Sequence, residues 1–162
     1  MLLTFLEAAN GTRLSKKHCP QNGFTPYPHV KCVTSHEENI QLDETGISML
    51  DQLIRHHASQ GHCLLKGNLK RPIQNESRAG KTDRIGYSNL LVLDIDGITL
   101  PSHTNPKTFT DKDVSTLAKA VMRELPPEVQ DCSFIAQASA SLGLKGDKVS
   151  LHIFILLTHA MP

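Results

Sequence analysis

Two aspartates one residue apart, Asp94 and Asp96, close the apolar run Leu90-Leu91-Val92-Leu93, and Gly97 follows at once. An uninterrupted apolar run predicts a central strand buried on both faces. Side chains alternate along a strand, so Asp94 and Asp96 share one face while Ile95 turns to the other. Two carboxylates this close repel each other. A hard divalent cation, Mg2+ or Mn2+, relieves that repulsion through oxygen ligands; a solvated Asp-Gly turn is the structural alternative. A second stretch, Lys148-Val149-Ser150-Leu151-His152-Ile153-Phe154-Ile155, repeats the strand pattern and sets Ser150 and His152 on one face. A lone histidine in an apolar run is more often a satisfied core residue than a functional one. Here it follows a hydroxyl two residues earlier, and a predicted hairpin leads into it.

Cationic side chains gather upstream of the aspartates. Lys66, Lys70, Arg71, Arg78, Lys81 and Arg84 form the densest basic region, set among Gly and Pro as in a surface loop or hairpin. A charge run usually means a solvated face. Its entry into the aspartate strand favours phosphate contacts that neutralise charge without reading sequence. Ala79-Gly80-Lys81-Thr82 is not a P-loop, because Asn75 stands where the required glycine would be. Lys145 and Lys148, before Ser150, are phosphate candidates on charge and position. His18, Cys19, His29, Cys32 and His36 are zinc-ligand types, but their spacing fits no finger and zinc is not expected.

The elements that must position these groups read in order. Residues 2–9 read as a short helix stopped by Asn10-Gly11, and 12–29 as a basic loop. Val30–Thr34 reads as the first strand. Asp43-Glu44-Thr45 opens a helix with the stripe Ile47, Leu50, Leu53, Ile54 and Ala58, and Gly61 stops it. His62–Lys66 reads as a short strand, and the aspartate strand follows the basic loop. A polar linker, 101–106, leads to a helix opened by the capping pattern Thr110–Asp113. Its apolar face is Val114, Leu117, Ala118, Val121, Met122 and Leu125, and Pro126-Pro127 ends it. Cys132–Ala136 and the Ser-x-His strand form a hairpin. The expected fold is α/β (α+β): a mixed, partly antiparallel sheet with helices packed against it.

The 162 residues suit one domain, with 39% hydrophobic residues to build a core and a net charge of +1. Near-neutral charge leaves nucleic-acid binding to local patches, and the absence of Trp argues against a surface of stacked bases. Four scattered cysteines read as reduced thiols of a cytoplasmic protein. No apolar run is long enough to span a membrane, and the N-terminus lacks the basic start of a secretory signal.

Asp-x-Asp after an apolar strand, followed by Ser-x-His opening another, resembles the first two motifs of the archaeo-eukaryotic primase (primase-polymerase) superfamily, phage and plasmid types included. The resemblance covers roughly residues 83–157. It implies nucleotide transfer from NTP or dNTP on a single-stranded DNA template, with two Mg2+ or Mn2+ ions. Asp94 and Asp96 would be metal ligands, and Ser150 and His152 would lie beside the incoming nucleotide with His152 on its triphosphate. Replication proteins or a helicase domain are the partners it implies. The family's third motif, an acidic residue after a downstream apolar stretch, has no counterpart before Pro162. The expectation is therefore the N-terminal part of a larger catalytic domain, weak or inactive by itself. Asp-x-Asp-Gly also fits a haloacid dehalogenase-type phosphatase, with Asp94 as nucleophile, Asp96 as acid/base and Thr158 as second motif; Ile98 stands where that family usually has Thr. A non-catalytic DNA-binding replication module is the third reading.

Overall fold

The structure, a computed structural model, describes residues 1–19, 23–83, 85–100, 108–140 and 147–161. Arg84, Lys145 and the 101–106 linker lie outside the described residues. The chain divides into two compact units. One comprises Met1–Lys17, Thr25–Leu91 and Leu156–Pro162; the other comprises His18–Phe24 and Val92–Ile155. Helices and antiparallel sheets together make an α+β fold, as expected.

In the first unit, β1 (Leu2–Ala8) is the middle strand of a sheet ordered β4 (Val33–Asn39), β1, β5 (Cys63–Leu64), antiparallel throughout. The helix expected over 2–9 is thus a strand. Leu3 and Phe5 are buried on one face and Thr4, Leu6 and Ala8 on the other. Burial on both faces erases the alternation that marks a strand, which leaves an apolar cluster readable as a helix turn. The strand expected at 30–34 begins at Val33 and runs on through the polar residues His36, Glu37 and Glu38. Leu6, Ala8, Leu14, Val33 and Ile73 pack together on the second face, with Val30, Cys63, Leu65 and Leu69 against them.

Helix α1 (Gly46–Gln60) lies where its period placed it. Asp43 Oδ1 accepts from the Thr45 N–H before it, and Gly61, at φ 91°, closes it in the left-handed conformation. The inward stripe differs from the expected one: Leu50 and His57 are buried, whereas Ala58 is exposed. The His57 ring stacks on Phe5 at a centroid distance of 3.8 Å. A histidine can occupy that core position because both its ring nitrogens have partners, His62 and Glu38.

Part of the expected basic loop is also paired. Short strands β2 (Lys17–Cys19) and β3 (Gly23–Thr25) lie together. The second basic stretch folds back through β6 (Asn68–Leu69) and β7 (Thr82–Asp83), and Glu76 bridges to Val33.

The remaining sheet is ordered β8 (Ser88–Thr99), β10 (Lys148–Met161), β9 (Phe134–Ala138). The expected hairpin is present, with Leu151 opposite Ala138 and Ile155 opposite Phe134. The strand buried on both faces is β10, where Val149, Leu151, Ile153, Phe154 and Ile155 are all in the core. Among the described residues β8 is an outer strand, half-buried along its apolar run, so the central position expected for it belongs to β10. Helix α2 (Asp111–Arg123) has the capping box foreseen: the Thr110 hydroxyl accepts from Asp113 N–H, and the Asp113 carboxylate accepts from Thr110 N–H. The Thr110 hydroxyl also lies 2.6 Å from Asp113 Oδ2, and that hydrogen bond first, then the one from Thr110 N–H, holds the Asp113 carboxyl below the usual range. Pro127 does more than end α2, since it begins the short helix α3 (Pro127–Gln130). Among the described residues no helix is long and apolar enough to cross a membrane.

Candidate functional site

Strands β8 and β10 bring the two sequence motifs together. His152 Nε2 lies 3.2 Å from Asp94 Oδ1. Three residues further along β8, the Gly97 N–H donates to the Ser150 hydroxyl at 3.4 Å, two residues back along β10. These contacts run in opposite directions along the two strands, so the pairing is antiparallel. Residues 58 and 53 positions apart in the chain therefore meet because each motif occupies one strand of a neighbouring pair.

Burial differs sharply within this group. Ser150 is buried, His152 is half-buried, and Asp94 and Asp96 are exposed. With 54% of its side chain accessible, Asp94 keeps water on its carboxylate beside the imidazole. Gly97 has φ 70°, a conformation that favours glycine, and a Cβ placed there would meet nothing within 4 Å. Open space thus adjoins Asp96. Two accessible carboxylates on alternate positions fit a hard cation that retains waters and takes further oxygens from a bound phosphate. Among the described residues no third His, Cys, Asp or Glu joins them at ligand spacing. Lys148 is exposed at the start of β10.

The basic loop is wired internally. Arg71 donates to Glu76 in bidentate fashion, Nη1 to Oε1 at 2.7 Å and Nη2 to Oε2 at 3.0 Å, and Lys81 pairs with the same carboxylate. These partners pull the Glu76 carboxyl down to about 2, hydrogen bonds from Arg71 and then Lys81 being the main causes. Lys70 Nζ donates to the Gly80 carbonyl and Arg78 to the Thr82 hydroxyl. Lys66 is exposed. Arg78 and Gly80 also line a cavity of about 410 Å3 together with Val30, Lys31 and Ser77. Arg71 and Lys81 are therefore charge-compensated within the loop, which nothing in the local spacing of Glu76 announced.

Sequence reasoning also missed the partners of His36. It grouped this residue with His18, Cys19, His29 and Cys32. The structure instead sets His36 beside Glu7, with Nε2 2.8 Å from Oε2, and stacks its ring on His62. Burial holds both His57 and His62 below the usual histidine range. The half-buried Cys63 thiol is pushed up, again by burial. The signal that could have found the cluster is the alternation of His36 and Glu38 on β4, but the pairing register was needed to use it.

Comparison with protein-family models, with curated proteins and with solved structures finds no match to this chain.

Proposed function

We propose that this chain is a primase-polymerase-type nucleotidyltransferase domain, acting on nucleoside triphosphates with single-stranded DNA as template. One observation carries the reading: Asp94 and His152 meet at 3.2 Å on adjacent antiparallel strands, with Ser150 on the next turn of the alternation. A bound Mg2+ or Mn2+ would neutralise triphosphate charge and orient the reacting oxygens, and Asp94 and Asp96 are the residues that would hold it. His152 would give an N–H to a phosphate oxygen, exchanging its contact with Asp94 for one with the nucleotide. Buried Ser150 ties β10 to the backbone of β8 at Gly97 and so fixes the separation of the two motifs. Lys148, exposed at the start of β10, supplies a cationic group at that strand end.

The phosphatase reading needs Thr158 beside Asp94. Thr158 stands six positions beyond His152 on β10, where its hydroxyl contacts His159 at 3.1 Å. That spacing favours the nucleotidyltransferase.

The test incubates the protein with single-stranded DNA, labelled nucleotides and Mn2+ or Mg2+, beside the Asp94→Ala/Asp96→Ala variant. Template-dependent products that vanish in the variant support the proposal. Hydrolysis of a simple phosphate ester, lost with Asp94→Ala alone, would replace it with the phosphatase. Inactivity in both assays with DNA binding retained would leave a binding module.

A further inference from the structure

We propose that Glu7, His36 and His62 form a binding site for a borderline divalent cation of the Zn2+ class, on the sheet face of the first unit that α1 covers. The inference is independent of the reading given to Asp94 and Asp96. One ligand atom from each of the three residues lies within 4.8 Å of the other two. Donors around a tetrahedral ion of this class stand about 3.4 Å apart, from metal–donor lengths of about 2.1 Å. Small rotations of these half-buried side chains cover the difference.

The backbone explains why these three meet. Phe5 pairs with His36 on one side of β1 and with Leu64 on the other. By the period of two, Glu7, His36 and His62 all project from the face that carries Phe5. Extending the β1–β5 register by one step sets His62 opposite Glu7. Each of three neighbouring chain segments thus contributes one donor, and Phe5 with His57 of α1 forms the apolar wall beside them.

The surrounding hydrogen bonds select the tautomer that a ligand needs. His57 Nε2 lies 3.3 Å from the Glu38 carboxylate, which can only accept, so that nitrogen carries the proton. In a neutral ring, His57 Nδ1 then accepts, and the His62 Nδ1 at 2.9 Å must be the donor. His62 is left with a lone pair on Nε2. A carboxylate, a histidine and a second histidine in series is the outer support by which metal-ligating imidazoles are oriented. The rings of His36 and His62 are stacked at 4.7 Å and within 5° of parallel, which keeps their nitrogens side by side.

Two imidazoles and one carboxylate suit Zn2+, Co2+ or Ni2+ better than Mg2+ or Ca2+, which prefer oxygen alone. Side-chain accessibility of 36% at His36 and 43% at Glu7 gives an ion and a coordinated water a route in. Three protein donors leave a fourth position for that water.

The test titrates the purified protein with Co2+ and with Zn2+ under reducing conditions. The expected result is one tight equivalent per chain, with the intense visible bands of four-coordinate cobalt and no thiolate-to-metal band in the near ultraviolet. Asp94→Ala/Asp96→Ala retains this equivalent, and His36→Ala/His62→Ala loses it. Glu7→Gln, at a half-buried position whose fold is checked by circular dichroism, weakens it about 10- to 100-fold. Glu38→Gln weakens it about 10-fold with the cobalt spectrum unchanged, the mark of a positioning residue. The proposal is overturned by absence of binding at micromolar metal, by a thiolate band, or by binding that Glu7→Gln and the histidine variant leave intact.

Discussion

His152 and Glu76 are each the centre of a polar contact that decides what its neighbours can do. His152 Nε2 lies 3.2 Å from Asp94 Oδ1 with its side chain partly accessible, so on the proposed reading an incoming phosphate can compete for it. If the chain is the proposed nucleotidyltransferase, His152→Ala lowers nucleotide transfer about 10²- to 10³-fold, the usual loss for one preorganised donor to developing charge. Thermal unfolding of the variant, measured beside turnover, should show little change. Glu76 is held near 2 by Arg71 and Lys81. Its contribution to stability is complete above the ordinary carboxyl range, because both folded and unfolded chains are then ionised. As pH falls toward about 2 the unfolded chain takes up the proton first, and the contribution fades. The stability difference between wild type and Glu76→Gln should therefore be flat above about pH 5 and vanish near pH 2 in acid titration. That Asp94 and Asp96 lie on one strand, and Ser150 and His152 on another, was legible because strand alternation is a local rule. Glu7, His36 and His62 were not, since 29 and 26 positions separate them in turn and only the register brings them together.

The two long helices were read correctly, and the first element was not. Helices α1 and α2 each carry an apolar period together with a terminal signal, Gly61 after the first and the Thr110–Asp113 box before the second. Thr110→Ala removes the acceptor for Asp113 N–H and should cost about 1 kcal/mol in denaturant unfolding. Gly46, the first residue of α1, has no room for a side chain: a Cβ there would collide with the Gln41 carbonyl oxygen and crowd Leu156. The collision is with backbone, so Gly46→Ala should cost about 1–3 kcal/mol, the range for overpacking. Strand β1 is followed by Asn10-Gly11 but has neither a sustained helical period nor a cap before it. Its sequence permits a helix turn, and pairing with β4 and β5 decides otherwise, which is tertiary context overriding a weak local preference.

At the scale of the whole molecule, 17 Lys and Arg against 16 Asp and Glu leave almost no net field to attract a polyanion. Any affinity for single-stranded DNA then rests on which cations are left uncompensated locally. In the basic loop, Glu76 neutralises two of them, Arg71 and Lys81, and ties the loop to β4 through its backbone pairing with Val33. A charge count over the sequence overstates the loop for this reason. Glu76→Gln keeps the backbone bridge and releases both cations. If the loop faces the template, log affinity plotted against log salt should steepen by about 0.7 for each released cation that reaches a phosphate, hence by about 1.4 at most. Binding at low salt should tighten accordingly, while Arg71→Gln in the same background should give back about half of the change. An unchanged slope in Glu76→Gln would mean that these cations face solvent, and the phosphate contacts would have to come from the Lys148 end of β10 instead.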